Sequence, residues 1–137
     1  MSKPQFPKEF EALRVLVVDD EEEIRDLVQQ ILRDMGIVRV HLAENGEMAW
    51  QRLSRTELEY DLVISDWLMP RMDGLALLKK MRQSGSEPPF MMLTVKVTGE
   101  AVASAVENGG PLYVAKPFTY GDFSRKVSSL AKQIIEG

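Results

Sequence analysis

Short apolar runs alternate with amphipathic helical patterns along the whole chain, and this alternation is the strongest constraint on its fold. Parallel neighbouring strands need crossover connections, so strict alternation indicates an α/β protein, a doubly wound parallel sheet with helices on both faces. The predicted strands are Leu13–Val18, Ile37–Ala43, Leu62–Ile64, Phe90–Val95 and Leu112–Ala115. The predicted helices are Ile24–Met35, Glu47–Arg55, a segment opened by Asp73-Gly74, Thr98–Asn108 and Thr119–Glu136.

Composition excludes several classes of function. The chain has no cysteine, which excludes disulfides, thiolate metal sites and cysteine nucleophiles. Its net charge of −4 and the lack of a basic run argue against nucleic-acid binding. No run approaches the roughly 18 apolar residues of a membrane span, and the first ten residues lack the apolar centre of a signal peptide. We therefore expect a cytoplasmic protein with neither nucleic acid nor membrane as a partner.

The length of 137 residues suits one domain. We expect residues 1–12 to form an N-terminal extension and residues 13–137 to form the domain.

Polar side chains lie at the ends of four of the five predicted strands, at the edge where ligands of such sheets bind. They are Asp19, Asp20, Asp66, Thr94 and Lys116. Three carboxylates this close repel one another unless a cation joins them, and hard oxygen ligands suit Mg2+. A bound metal would offset the repulsion between Asp66 and a phosphoryl group, so that the carboxylate could attack phosphorus. Thr94 and Lys116 could then bind the phosphoryl oxygens.

Each of these residues also has an ordinary structural explanation. Asp20 could be the N-cap of the first helix, and Asp66 an ordinary turn carboxylate. Thr94 could be a β-branched strand residue, and Lys116 a solvated surface charge. Their joint occurrence at four strand ends is what favours a site.

Four motifs follow one another along the chain. They are Val17-Val18-Asp19-Asp20, the run from Ser65-Asp66-Trp67 to Met72-Asp73-Gly74, Thr94, and Lys116-Pro117-Phe118. In this order they resemble the response-regulator receiver domain family. The resemblance covers roughly Leu13 to Ile135 and implies the flavodoxin/CheY-like (βα)5 fold, with strand order 2-1-3-4-5.

The resemblance also implies a role for each site residue. Asp66 would be the phosphoacceptor, Thr94 and Lys116 would bind the phosphoryl group, and Tyr113 would be the switch aromatic.

Mg2+ would be bound by Asp20 directly, by Asp19 mainly through water, and by Asp66 and the backbone carbonyl of Leu68. The bond between Lys116 and Pro117 would be cis.

The partners implied are a sensor histidine kinase or phosphotransfer protein and a downstream protein effector. The effector would dock on the face made by the fourth helix, fifth strand and fifth helix. Such a domain phosphorylates and dephosphorylates itself as a switch and is not a turnover enzyme.

Three rival functions use related chemistry or the same architecture. Haloacid-dehalogenase-type phosphatases resemble Asp-x-Asp at the nucleophile, whereas Leu68 stands two residues after Asp66. A flavin-binding protein would need a phosphate loop after the first strand, where the acidic run Asp19–Glu23 would repel phosphate. A docking module that works without phosphorylation remains open. The kinase, pathway, output, oligomeric state and phosphoryl-group lifetime remain open too, as does whether this is a stand-alone regulator or a fragment of a larger one.

Overall fold

The computed structural model describes residues 6–55, 59–95 and 112–137. Five parallel strands form one sheet in the order β2-β1-β3-β4-β5, which confirms the predicted architecture and strand order. The strands are β1 (Arg14–Val18), β2 (Arg39–Ala43), β3 (Leu62–Asp66), β4 (Phe90–Thr94) and β5 (Leu112–Ala115). The described helices are a 3-10 helix (Lys8–Ala12), α1 (Glu22–Asp34), α2 (Gly46–Leu53), α3 (Gly74–Gln83) and α4 (Tyr120–Glu136). The predicted helix Thr98–Asn108 lies outside the described residues.

The alternation of side chains along the strands divides the interior into two cores. Val15 and Val17 of β1 lie in a core with α1 and α4, whereas Leu16 and Val18 lie in a core with α2 and α3. Burial on both faces explains why the central strands are uninterrupted apolar runs. The sheet is therefore a rigid layer whose carboxyl edge presents the predicted site residues.

The start of β2 differs from its predicted position. The prediction placed Ile37 in the strand, but the strand begins at Arg39 because residues 36 and 37 close the end of α1. Gly36 adopts a φ of 88° and its N–H donates to the Arg33 carbonyl, while the Ile37 N–H donates to the Leu32 carbonyl. This pair of bonds is a Schellman motif, which requires a residue in the left-handed region.

The first described residues contribute to the core. Phe10, on the 3-10 helix, is fully buried in the core shared by α1 and α4, and its ring stacks on that of Phe6. The pattern of the sequence does not indicate this packing.

None of the helices in the described part of the chain has the length and apolar character needed to cross a membrane.

Candidate functional site

The parallel register brings the predicted polar residues to one edge of the sheet. Asp66 and Thr94 are the last residues of β3 and β4, while Asp19 and Lys116 come directly after β1 and β5. Asp19, Asp66 and Thr94 are buried, and the Lys116 backbone N–H donates to the Thr94 carbonyl at 2.9 Å. Asp20 is exposed at the same edge. The predicted clustering is thus confirmed for these five residues.

Lys116 is the electrostatic centre of the cluster. Its Nζ lies 2.8 Å from Asp19 Oδ2, 3.3 Å from Asp66 Oδ2 and 3.8 Å from Glu21 Oε1. Its side chain is only 10% exposed, and that of Asp66 is only 8% exposed. The Lys116–Pro117 peptide bond is cis, as predicted. One ammonium therefore lies between two buried carboxylates and offsets part of their combined negative charge.

The protonation of Asp66 reflects these surroundings. Burial raises its pKa from 3.8 to about 6, and the Asp19 carboxylate adds to the rise. Lys116 and a hydrogen bond from the Leu68 N–H act in the opposite direction. Burial would lower the pKa of Lys116, but its bonds to Asp19 and Asp66 outweigh burial and raise it. At neutral pH the acid is thus mostly a carboxylate and the amine an ammonium.

The acidic residues have the chemistry of a divalent-cation site. Carboxylate oxygens of Asp19, Asp20, Glu21 and Asp66 lie within 4.8 Å of one another. Two of these residues are buried and two are exposed, which leaves a solvent side for water ligands. An all-oxygen set open to water is the arrangement that Mg2+ prefers. The donor set therefore fits Mg2+.

Glu21 is the member of this cluster that sequence analysis missed. The sequence shows it only as part of the acidic run Asp19–Glu23, and nothing in the pattern distinguishes it from Glu22. In the structure Glu21 itself is the N-cap of α1, without a side-chain capping bond. The alternative interpretation of Asp20 as the N-cap is therefore wrong.

Three hydrogen bonds hold the β1–α1 turn, residues 19–21, at its first residue. The Asp19 N–H donates to the Ala43 carbonyl at 3.1 Å, and Asp19 Oδ1 accepts from the Glu21 N–H at 2.9 Å. Arg25 reaches back from α1 and donates to the Asp19 carbonyl at 2.6 Å. The turn is thus fixed by polar contacts around a single aspartate.

The β3–α3 loop, residues 67–73, is longer and is anchored at its ends. The Trp67 N–H donates to the Leu93 carbonyl at 3.0 Å, and the Trp67 carbonyl accepts from the Gly74 N–H at 2.9 Å. At the other end, Asp73 caps α3 by accepting from the Ala76 N–H at 2.8 Å. Leu68, whose backbone carbonyl was predicted to bind the metal, is 49% exposed between these anchors.

Tyr113 on β5 packs against the residue that follows Asp66. Its ring stacks on Trp67 with centroids 6.2 Å apart and planes 23° from parallel. Its hydroxyl is buried and has no hydrogen-bond partner among the residues that the structure describes. Burial raises the pKa of this phenol. The predicted switch aromatic thus adjoins the predicted phosphoacceptor through one intervening ring.

Comparisons with known proteins agree with this geometry. Residues 15–128 match the family model described as the response regulator receiver domain. The chain is 31% identical over 124 residues to the chemotaxis protein CheY-3 of Vibrio cholerae, covering 89% of this chain and 94% of the relative. It is 36% identical over 109 residues to the chemotaxis protein CheY1 of Helicobacter pylori, covering 78% and 87%.

A solved structure gives the same result at the level of the fold. The receiver domain of the Francisella response regulator 1452 superposes with a TM-score of 0.78 and 30% identity, covering 88% of this chain and 98% of that one. The match of the family model, the relatives and the edge of acidic residues together lead to one conclusion. The chain belongs to the response regulator receiver domain family.

Proposed function

We propose that this chain is a phosphoacceptor domain of a two-component phosphorelay in the cytoplasm. Asp66 would receive a phosphoryl group from a histidine kinase or a phosphotransfer protein. The observation that carries the proposal is the position of Asp66, which ends the central strand 3.3 Å from the Lys116 ammonium and within the cluster of carboxylates. A nucleophile, a countercharge and a set of cation ligands are what phosphoryl transfer to a carboxylate requires.

The proposed step conserves atoms and charge. A carboxylate oxygen of Asp66 attacks phosphorus, and a P–O bond forms as the P–N bond of the phosphohistidine breaks. The bonding electrons go to the imidazole nitrogen, which leaves as neutral histidine after taking up a proton. Water later hydrolyses the aspartyl phosphate to inorganic phosphate and the free carboxylate. Each phosphorylation changes the state of the domain once, so the domain is a switch and not a turnover enzyme.

The other residues bind charge or position groups in this scheme. Mg2+, when bound, would neutralise charge on the phosphoryl oxygens. Asp19, Asp20, Asp66 and the Leu68 backbone carbonyl would hold the metal. The Lys116 ammonium and the Thr94 hydroxyl would donate to phosphoryl oxygens. Buried charges act more strongly than charges in water, so the burial of Asp19, Asp66 and Lys116 supports this assignment.

The signal would leave the site through Tyr113. Its ring contacts Trp67, the residue directly after Asp66. A phosphoryl group that binds Thr94 would favour a different position of Tyr113, and a ligand shifts a two-state equilibrium only through such differential binding. The predicted output surface would comprise β5, α4 and residues 98–108, the last of which lie outside the described residues, and a downstream protein effector would dock there.

Phosphorylation by a small-molecule donor tests the proposal. Acetyl phosphate with Mg2+ should add one phosphoryl group to the native protein and none to Asp66→Asn, measured by intact mass. Asp61→Asn is the matched control, because Asp61 lies at the opposite end of β3, where it accepts from the Arg14 N–H. Equal labelling of native protein and Asp66→Asn would place the acceptor elsewhere. No labelling of either would favour the docking module that works without phosphorylation.

A further inference from the structure

The β3–α3 loop contacts the proposed phosphoacceptor through its backbone. The Leu68 N–H donates to the Asp66 carboxylate, so a displacement of the loop changes the surroundings of that oxygen. The loop also contains Arg71 with a φ of 71°, in a region that non-glycine residues seldom adopt. A loop with such a residue needs external contacts that hold it in place.

The closest of these contacts comes from the first residue of α2. A methyl group built at Gly46 would lie 2.2 Å from the Met72 carbonyl oxygen and 2.6 Å from Met72 Cβ. Real Cβ atoms do not approach a backbone oxygen so closely, so only glycine permits this contact. Asn45 fixes the same turn by accepting from the Met48 N–H at 2.8 Å. The start of α2 therefore lies directly against the backbone of the loop.

The next residue of α2 makes a second link to the loop. Glu47 Oε2 lies 3.0 Å from Arg71 Nη1. The two side chains are 52% and 68% exposed, and exposed ion pairs contribute little to folding stability. This pair nevertheless joins α2 to the residue of the loop that has the unfavourable φ.

We infer that the first turn of α2, Gly46 and Glu47, positions the β3–α3 loop for cation binding. Neither residue need touch the metal or the phosphoryl group; both act through Met72 and Arg71 on the loop that carries Leu68. The inference rests on the proposed function, since it concerns the same cation site. It predicts that the cation affinity depends on a helix that contributes no ligand.

Two glycine-to-alanine variants test the inference. Gly46→Ala must push the Met72 carbonyl away, whereas Gly121→Ala, in the first turn of α4, meets only the end of the flexible Arg125 side chain at 3.4 Å. We expect Gly46→Ala to weaken Mg2+ binding by about 10- to 100-fold, the range for residues that orient metal ligands. Gly121→Ala should bind Mg2+ as the native protein does. Titration calorimetry and Trp67 fluorescence would measure the affinity.

An amide spectrum of the metal-free protein adds a readout that does not involve binding. Gly46→Ala should shift the Leu68 amide resonance, because that N–H donates to Asp66. A folded Gly46→Ala protein with native Mg2+ affinity would overturn the inference. An equal loss of affinity in Gly121→Ala would overturn it as well.

The ion pair gives a second test if Gly46→Ala does not fold. Glu47→Gln and Arg71→Gln change the net charge in opposite directions, so a through-space effect alone would change Mg2+ affinity in opposite directions. A positioning role of the pair predicts that both variants bind Mg2+ more weakly than native protein. The loss should be at most about five-fold, because the pair is exposed. The double variant Glu47→Arg with Arg71→Glu reverses the two charges and keeps the pair. It should bind Mg2+ more tightly than the summed effects of its two single substitutions predict. Strictly additive effects would contradict the inference.

The outcome for the native protein separates this inference from the proposed function. Native protein that binds no Mg2+ contradicts the proposed cation site itself. If native protein binds Mg2+ and Gly46→Ala binds it with the same affinity, only the positioning role of α2 is contradicted.

Discussion

The two loops that bring carboxylates to the site are held by different kinds of contact. The β1–α1 turn is fixed by hydrogen bonds to Asp19, including one from Arg25 a turn further along α1. The β3–α3 loop has hydrogen bonds at its ends, but it is also held by close packing of backbone against glycine, since Gly46 lies against Met72 and Gly74 lies against the Asp66 carbonyl. A methyl group at Gly74 would come within 2.4 Å of that oxygen.

This difference has consequences for how each loop tolerates change. A turn held by polar bonds is sensitive to the loss of a donor or acceptor, because a buried group left unpaired is unfavourable. A loop held by packing is sensitive to added volume, because close-packed backbone cannot move without moving its neighbours.

Lys116 joins the two loops, so its removal should have the largest effect. Lys116→Met leaves Asp19 and Asp66 buried without their countercharge, which should lower the free energy of unfolding by about 3–5 kcal/mol in metal-free protein at pH 7.5. Urea unfolding in the presence of EDTA measures this change. Lys79→Met, at an exposed position on α3, is the control and should change little. Equal stability of both variants would mean that the buried carboxylates are balanced in another way.

A substitution at Asp20 tests the β1–α1 turn without changing the β3–α3 loop. Asp20→Ala removes a proposed metal ligand, and we expect Mg2+ binding to weaken by at least about 100-fold, the upper end of the range for residues that only orient ligands. Glu22→Ala removes the same charge from the exposed first residue of α1 and should bind nearly as well as native protein. Trp67 fluorescence reports both titrations. Matching titrations for the two variants would show that charge near the site, and not the Asp20 oxygen, determines affinity.

Asp66 gives a pH-dependent prediction. Its pKa of about 6 is higher in the folded protein than the usual 3.8, so the folded state binds this proton more tightly and stability falls as pH rises between those values. Asp66→Asn avoids this ionisation and should stabilise metal-free protein at pH 7.5 by about 2 kcal/mol. Below about pH 4 the stabilisation should vanish.

Urea unfolding at the two pH values measures the effect of Asp66→Asn. Asp26→Asn, exposed on α1, is the control and should show no comparable gain. A gain that is independent of pH would exclude ionisation of Asp66 as its cause.

The helix caps should produce the smallest effects. Asp73 and Thr119 cap α3 and α4 with similar bonds, to the Ala76 N–H at 2.8 Å and the Asp122 N–H at 3.0 Å. Replacing either with alanine should lower the free energy of unfolding by about 1 kcal/mol. Only Asp73→Ala, which loosens one end of the β3–α3 loop, should also weaken Mg2+ binding. Weaker binding in both variants would indicate a general loss of stability.

The sequence predicted the parts of the site that depend on strand ends. Asp19, Asp66, Thr94 and Lys116 follow or end apolar runs, and parallel strands place their carboxyl ends at one edge. The contact between Gly46 and Met72 could not be predicted in this way, because it depends on the path of a loop that lies far along the chain from α2. Glu21 was missed because three successive glutamates give no periodic signal.

Phe10 bears on where a stable fragment of this protein begins. The family match starts at residue 15, yet the ring of Phe10 is fully buried beneath α4. A fragment cut at the family boundary would leave a phenylalanine-sized void in its interior, and loss of a buried phenylalanine side chain typically destabilises a protein by about 3–5 kcal/mol. The segment needed for a stable fold is therefore longer than the segment that matches the family model. A fragment or fusion that contains this domain should include the residues from Phe6 onward.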